Sequence, residues 1–234
     1  MDVNLPDLEG QSAADILRWT FDRFSGLPDG QADRVAISTA FGPSGVVLLH
    51  LAQTVNPRVR AFFLDTGYHF PETLGMVERV RERLGIAVEV VSADPAVVSV
   101  EDPPGGVPLH ARDTDRCCGI RKVDPTRVVL RGLDAWIAAL RRDQGPTRAQ
   151  TPVLEVRQSE GRDLVKVNPL VAWDRKRIWT YLFENDLPYN PLHDLGYPSV
   201  GCAPCTAPAE GASNEREGRW AGQAKLECGL HTRI

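Results

Sequence analysis

Three short apolar runs, each separated from the next by a helix-like segment, most constrain the fold of this chain. The runs are "RVAIS" (34–38), "RAFFLD" (60–65) and "IAVEVVSA" (86–93). Between them, "VVLLHLAQTV" has the composition of a buried helix, and "PETLGMVERVRERLG" carries Pro71 in its first turn and Gly85 at its end. Strand–helix units at this spacing predict a parallel α/β sheet with right-handed crossovers.

The rest of the chain adds further elements around that sheet. Residues 11–24 have helical spacing, and "AWIAAL" (135–140) is typical of a strand. "TPVLEVRQ" and "LVKVNPL" predict a hairpin around the turn "SEGRD", and Asp174 is the expected N-cap of the helix "RKRIWTYLFEND". Residues 94–116 are rich in Pro, Gly and Asp and are expected to be irregular.

We expect three segments along the chain. Residues 1–33 form an N-terminal helical segment, and 34–200 form the α/β domain that carries the first cysteine pair. Residues 201–234 form a C-terminal segment that contains a C-x-x-C motif and a mobile tail with a further cysteine.

Composition narrows the classes of function. The 234 residues are 25% charged and 42% hydrophobic, and the net charge of −4 gives no indication of a nucleic-acid-binding surface. The apolar runs are shorter than the roughly 18 residues of a membrane span, and the acidic start "MDVNLPDLEG" does not resemble a signal peptide. We therefore expect a cytoplasmic protein with no membrane partner, in which thiols stay reduced.

The cysteines form the most informative pattern. Cys117 and Cys118 are adjacent, Cys202 and Cys205 form a C-x-x-C, and Cys228 stands alone near the end. Four cysteines in two pairs favour an iron–sulfur cluster, because adjacent thiolates fit separate iron atoms better than one zinc ion. Structural zinc and unrelated thiols remain alternatives, and so does a thioredoxin-like redox pair, although "CAPC" does not follow a strand.

Two further features indicate an anionic ligand. The loop "STAFGPSG" (38–45) joins a strand to a helix, where hydroxyl and backbone N–H groups meet the positive helix end. It lacks the G-K-[ST] ending of a Walker A loop and is also compatible with a plain turn. Basic residues form three clusters, which lie beyond the cysteine pair, after a predicted strand and after the C-x-x-C motif. The clusters are Arg121 and Lys122; Arg141, Arg142 and Arg148; and Arg216 and Arg219. Such clusters are usually solvated faces, but three of them beside these features indicate a phosphate- or sulfate-bearing ligand.

Cys228 is either an incidental thiol or a reactive one. Three features favour a reactive thiol: a flexible glycine, Gly229, follows the cysteine, and His231 is near in the sequence. A mobile tail would also let the sulfur reach more than one partner. Of the other histidines, His50 fits a core position, and His69 could approach a ligand.

The motifs "STAFGPSG", "FLDTGYHFPET", "CCGIRKVDP", "ALRRDQGPTRA", "KVNPLVAW", "NPLHDLGYPSVGCAPCT" and "KLECGLH" resemble, in order, those of the assimilatory sulfonucleotide reductases. The two cysteine pairs are similar to those of the bacterial branch that uses adenosine 5′-phosphosulfate (APS). The resemblance implies an adenine-nucleotide α-hydrolase-like, Rossmann-like fold and a nucleophilic Cys228. It also implies a 4Fe-4S cluster on Cys117, Cys118, Cys202 and Cys205.

The resemblance also implies a substrate site. The loop would hold the phosphate, residues 64–67 would run along the adenosine, and basic groups would bind the phosphosulfate. The expected substrate-binding residues are Ser38, Thr39, Leu64, Lys122, Arg142, Arg216, Arg219 and His231.

The implied reaction is a reduction of APS to sulfite and AMP through an S-sulfocysteine on Cys228, with thioredoxin or glutaredoxin as reductant, in sulfate assimilation for cysteine biosynthesis. The loop is more similar to the S-S-F-G loop of enzymes that use 3′-phospho-APS (PAPS), so PAPS use or dual use is the alternative. More remote alternatives are an ATP pyrophosphatase-type enzyme, whose acidic loop residue is missing here, and a zinc-stabilised nucleotide-binding regulator. The sequence leaves a homo-oligomer open.

Overall fold

A computed structural model describes residues 5–25, 33–212 and 214–234 of the chain. Its centre is a six-stranded sheet with the order β3-β2-β1-β4-β6-β5, in which only β5 runs antiparallel to its neighbour. The strands are β1 (Val35–Thr39), β2 (Ala61–Asp65), β3 (Val88–Ser92), β4 (Ala135–Ile137), β5 (Leu154–Ser159) and β6 (Arg162–Val167). The predicted parallel α/β sheet is confirmed.

Helices cover the sheet and connect its strands. They are α1 (Ala13–Phe24), α2 (Pro43–Val55), α3 (Pro71–Leu84), α4 (Pro95–Glu101), α5 (Leu109–Arg112), α6 (Thr114–Cys118), α7 (Asp124–Leu130) and α8 (Arg175–Glu184). Helix α3 ends as predicted at Gly85, which adopts the left-handed φ of 66° that glycine tolerates. Asp174 caps α8 by accepting a hydrogen bond from the Arg177 N–H.

The central strands β1, β2 and β4 are buried on both faces, as expected for a parallel sheet, whereas the edge strands β3 and β5 are more exposed. Along β1, Val35 and Ile37 pack into one core cluster, which includes residues of α1, α2, α3 and α8. Ala36 points to the opposite cluster, against which the C-terminal Leu230 and Ile234 pack. The end of the chain therefore lies against the sheet.

Three expectations differ from the structure or extend beyond it. The stretch 94–116 contains α4, α5 and the start of α6, because the Asp94 and Asp113 side chains cap helices too short to show a periodic pattern. Strand β4 ends at Ile137, earlier than the predicted 140. Residues 1–4 and 26–32 of the predicted N-terminal segment lie outside the described residues, and the division into three segments stays a prediction.

One turn of π-helix, Gly119–Val123, joins α6 to α7. It places Arg121 and Lys122 directly after the cysteine pair. Within the described ranges, no helix has the length and apolar character needed to cross a membrane.

Candidate active site

A cavity of about 220 Å³ opens at the carboxyl ends of the parallel strands, where ligands bind in open α/β sheets. The loops after β1, β2 and β4 contribute to its wall, and the C-terminal segment contributes much of the remainder. Residues that line it include Ser38, Thr39, Ser44, Leu64, Thr66, Lys122, Arg148, His193, Arg216, Arg219, Cys228 and His231.

The loop between β1 and α2 is shaped to receive an anion. The Thr39 hydroxyl accepts a hydrogen bond from the Phe41 N–H at 3.0 Å, and Phe41 adopts a φ of 54°. Gly45 lies so close to Thr39 that an added Cβ would sit 2.8 Å from its hydroxyl oxygen. Gly42 caps α2 without a side-chain hydrogen bond, so the N–H groups of the first helical turn remain available to a ligand.

Positive charge in this cavity exceeds the negative charge that faces it. Among the described residues, the Nε atoms of Arg216 and Arg219 are buried without a hydrogen-bond partner. Both guanidinium groups lie over the Trp220 ring, with Arg219 4.6 Å from its centroid. Burial and the charge of Arg148 lower the pKa of Arg216 to about 10. An anionic ligand would relieve this repulsion.

Cys228 lies among these cations. Burial opposes ionisation of its thiol, but the positive charges of Lys122, Arg219 and Arg216, together with the Leu230 N–H, outweigh burial and lower the pKa. A lowered pKa gives more thiolate, which is the nucleophilic form of cysteine. The sulfur therefore has the environment of a reactive group.

His231 holds the tail against the sheet. Its ring stacks on Trp136 with centroids 5.3 Å apart, and the Trp136 indole N–H donates to the Ser38 hydroxyl at 2.8 Å. Burial and the nearby Lys166 lower the pKa of His231 well below its ordinary value, so the imidazole stays neutral. One tryptophan thus connects the tail to the loop between β1 and α2.

The four paired cysteines line a second, smaller cavity next to the first. Cys117, Cys118, Cys202 and Cys205 all contribute to its wall. The Thr66 hydroxyl lies 3.3 Å from the Cys202 sulfur. Thr66 and Lys122 line both cavities and so form the partition between them.

Arg121 stands beside the cysteines and has a buried counter-charge, although its Nε atom is buried without a hydrogen-bond partner among the described residues. Its guanidinium donates to the Thr66 carbonyl and to the Asp102 carboxylate, both at 2.8 Å, and lies 4.5 Å from the Tyr68 ring centroid. The Arg121 and Asp102 side chains are 12% and 5% exposed. This is a buried ion pair with further hydrogen bonds on both partners.

The chemistry of the four thiols fits an iron–sulfur cluster. Burial, with the neighbouring Cys118 and Cys202, raises the pKa of Cys117 to about 12, so thiolates collected here need a positively charged partner. In the described part of the chain, no three His, Cys, Asp or Glu side chains converge closely enough to hold one metal ion. Four thiols around one cavity are a donor set that an iron–sulfur cluster, with one thiolate on each iron atom, can use.

Comparison with known proteins identifies the family. The profile of the phosphoadenosine phosphosulfate reductase domain matches residues 34–208. The chain belongs to this reductase family. A phosphoadenosine 5′-phosphosulfate reductase of Gloeobacter violaceus is 48% identical over 85% of this chain and 83% of its own. An adenosine 5′-phosphosulfate reductase of Rhodococcus opacus is 45% identical over 96% of this chain and 90% of its own.

A solved structure of a reductase agrees with this assignment. The phosphoadenylyl-sulfate reductase of Candida auris, in a phosphate complex, superposes with a TM-score of 0.69 and 28% sequence identity. The match covers 86% of this chain and 92% of that one. The fold and the family expected from the motifs are therefore confirmed.

The structure brings most of the predicted substrate-binding residues of this family member together. The cavity is lined by Ser38, Thr39, Leu64, Lys122, Arg216, Arg219 and His231, together with Cys228. Arg142 does not line it: the guanidinium donates to the Thr151 carbonyl at 2.9 Å and pairs with Glu9 at 2.6 Å. Arg148, from the same basic loop, lies in the cavity wall instead.

Sequence reasoning missed several residues of the site. His193 lines the cavity with a ring nitrogen, Nε2, that is buried without a partner among the described residues. Trp136 and Glu227 do not line the cavity themselves but contact the cavity residues His231 and Arg148. The only sequence signals were their positions in "NPLHDLGYPS", "AWIAAL" and "KLECGLH", none of which shows which way a side chain points.

Proposed function

We propose that this protein reduces adenosine 5′-phosphosulfate to sulfite and AMP with electrons from a dithiol protein. The observation that carries the proposal is the position of Cys228. It lines the same cavity as the loop between β1 and α2, which would hold the phosphate, and as the cations Lys122, Arg216 and Arg219. The relative from Rhodococcus opacus is named as an enzyme of this substrate.

In the first step, the Cys228 thiolate attacks the sulfur of the bound phosphosulfate. A sulfur–sulfur bond forms, the bond between sulfur and the bridging oxygen breaks, and its electron pair leaves with AMP. Negative charge develops on the phosphate oxygens, where the arginines and the first turn of α2 stabilise it. The product on the protein is an S-sulfocysteine at Cys228.

In the second step, a thiolate of thioredoxin, or of glutaredoxin, attacks the Cys228 sulfur and sulfite leaves. The second thiol of that partner then attacks the mixed disulfide and returns Cys228 as a thiolate. The partner is oxidised to a disulfide and supplies both electrons. The tail has to be mobile for this step, because the sulfur meets first a nucleotide in a cavity and then a protein.

Cys117, Cys118, Cys202 and Cys205 would hold a 4Fe-4S cluster. When bound, such a cluster supplies fixed charge beside the partition residue Lys122, while the dithiol supplies the electrons. Anaerobically purified protein should then be brown, with broad visible absorption and bound iron. Colourless protein loaded with zinc would contradict this assignment.

PAPS is the second candidate substrate, because the relative from Gloeobacter violaceus is named for it and the loop "STAFGPSG" contains no acidic residue to repel a 3′-phosphate. Sulfite release from APS and from PAPS, each with thioredoxin and with glutaredoxin, separates these candidates by their kcat/KM values. We place the reaction in the cytoplasm, as part of sulfate assimilation towards cysteine, where the partner dithiols are kept reduced.

The nucleophile is tested with Cys228→Ser. We expect sulfite release to fall by at least about three orders of magnitude, because a neutral hydroxyl replaces the thiolate. With wild-type protein and APS but no reductant, intact mass spectrometry should detect one added sulfonate, and Cys228→Ser should lack it. Near-normal sulfite release from the serine variant would overturn the assignment.

A further inference from the structure

Glu227, the residue before the nucleophile, binds the cavity wall with both carboxylate oxygens. Oε1 accepts from the Nε atom of Arg148 at 2.9 Å, and Oε2 accepts from its second nitrogen, Nη2, at 3.0 Å. The Thr147 hydroxyl donates to Oε1 at 3.0 Å. The Glu227 and Arg148 side chains are 13% and 11% exposed. This is a bidentate, largely buried ion pair, the geometry that fixes two groups most firmly.

The same carboxylate also holds Arg216. The Arg216 Nη2 atom lies 3.2 Å from Oε2 of Glu227, and it donates to the Leu226 carbonyl at 2.9 Å. Two of the cations that line the cavity, Arg148 and Arg216, therefore meet at one acidic residue of the tail. Burial opposes the charge of Glu227, but Arg148 and Arg216 outweigh it and lower the pKa of the carboxyl group.

Two other ion pairs of the tail share a carboxylate that is open to solvent. Arg233 pairs with Asp115 at 2.7 Å, with the two side chains 46% and 60% exposed. Lys225, itself only 8% exposed, pairs at 2.6 Å with the same carboxylate, which is open to solvent. Such exposed pairs contribute little to stability. Among the ion pairs that these tail residues make, the one between Glu227 and Arg148 is the most enclosed by protein on both sides.

We propose that Glu227 is a positioning residue that latches the tail in its closed position. Its pair with Arg148 fixes the backbone next to Cys228, so that the sulfur stays in the cavity, and its contact with Arg216 orients that guanidinium towards the ligand. The latch has to break when the tail leaves for the reductant. The inference rests on the proposed reaction in one respect, because that reaction is the reason why the tail must open. The latch itself can be tested without turnover.

The test compares Glu227→Gln with Glu227→Asp and with the control Arg233→Gln, which removes an exposed tail ion pair. An amide cannot accept both arginine hydrogen bonds, so we expect Glu227→Gln to lower kcat for APS on the order of 10- to 100-fold, with KM changed less than about threefold. Glu227→Asp keeps the charge and should recover part of the loss. Arg233→Gln should stay within about twofold of wild type.

Two measurements report tail position without catalysis. Trypsin cleavage after Lys225 and iodoacetamide labelling of Cys228, both followed by mass spectrometry, should accelerate several-fold in Glu227→Gln and remain at wild-type rates in Arg233→Gln. These rates stay informative even for a protein that releases no sulfite, so failure of the latch and failure of the proposed function are distinguishable.

Other outcomes would overturn the latch. Unchanged cleavage and labelling in Glu227→Gln would mean that the tail is held without Glu227. A lowered KM with unchanged kcat and cleavage would mean that Glu227 only neutralises the arginines. If the glutamine variant does not fold, Arg148→Lys keeps the charge but removes the bidentate geometry, and the same increase in cleavage after Lys225 is expected.

Discussion

The two neighbouring cavities differ in how their positive charges are satisfied. Beside the cysteines, Arg121 is bound by Asp102, by the Thr66 carbonyl and by the face of Tyr68. In the larger cavity, Arg219 has no carboxylate partner among the described residues, and Arg216 shares the carboxylate of Glu227 with Arg148. The cation beside the cysteines therefore has a buried counter-charge within the protein, whereas the larger cavity keeps positive charge available to a ligand.

This difference is consistent with the two proposed occupants, a cluster that stays bound and a substrate that exchanges. A group that stays bound is best surrounded by side chains that are already locked, because they need no rearrangement. A substrate that enters and leaves at each turnover gains affinity from cations that only it can satisfy. Lys122, in the partition, belongs to both cavities.

The largest effect is expected from removing the buried ion pair between Arg121 and Asp102, beside the cysteines. Asp102→Asn leaves the buried Arg121 guanidinium without its counter-charge and should lower the free energy of unfolding by about 3–5 kcal/mol, as measured by urea denaturation. The matched control is Asp134→Asn, whose partner Arg34 is more than one-third exposed. That control should cost no more than about 1 kcal/mol. Equal losses in the two variants would contradict the distinction between the cavities.

The pH dependence of stability tests the same ion pair. Burial opposes the charge of Asp102, but hydrogen bonds from Tyr68, the Leu109 N–H and Arg121 outweigh it and lower the pKa from 3.8 to about 2. The carboxylate therefore contributes about 2 kcal/mol of stability above about pH 4. This contribution is lost as the pH falls through about 2. The asparagine variant should lack this component, so the stability difference between wild type and variant should shrink between pH 4 and pH 2.

The next largest effect is expected in the larger cavity, where Arg219 has no carboxylate partner among the described residues. Arg219→Gln removes a cation from the cavity wall and should lower kcat/KM for APS by about 100-fold or more, since each donor to a developing charge contributes about that much. Its guanidinium packs directly over Gly201, where an added Cβ would overlap it. Gly201→Ala should therefore displace Arg219 and reproduce part of the loss with no change of charge. Wild-type kinetics in Gly201→Ala would mean that the position of Arg219 is unimportant.

The smallest effect is expected at Arg142. Because its guanidinium faces Glu9 and Thr151, away from both cavities, Arg142→Gln should change kcat/KM less than about threefold and stability by about 1 kcal/mol or less. Arg148→Gln, in the same loop, should lower kcat/KM by at least about tenfold. Steady-state kinetics of the two variants, measured side by side, test this prediction. A larger loss of kcat/KM in Arg142→Gln than in Arg148→Gln would restore Arg142 as the substrate contact.

The fold and the grouping of the cysteines were predictable because both are periodic or local signals. Strand–helix alternation specified the parallel sheet, and the terminal residues Gly85 and Asp174 act through a cap within one turn of their helix. Seven of the eight substrate-binding residues predicted from the resemblance line one cavity, and their role there stays a prediction.

The remaining features depend on tertiary direction. Whether Arg142 or Arg148 faces the cavity is set by the short turn between them, in which Gly145 adopts a φ of 154°. The pairing of Glu227 joins residues 79 positions apart in the chain. No sequence period reports such contacts, and the C-terminal segment that supplies many cavity residues contains no long helix or strand within its described part.

The π-helical turn at Gly119–Val123 has a consequence for how the two cavities share their charges. Such a turn holds one residue more than an α-helical turn, so removing one residue would shorten it to α-helical spacing and change the directions of the side chains within it. Arg121 and Lys122 would then leave their present positions together. The direction of each cation, Arg121 towards the cysteines and Lys122 towards both cavities, therefore depends on this single π-helical turn.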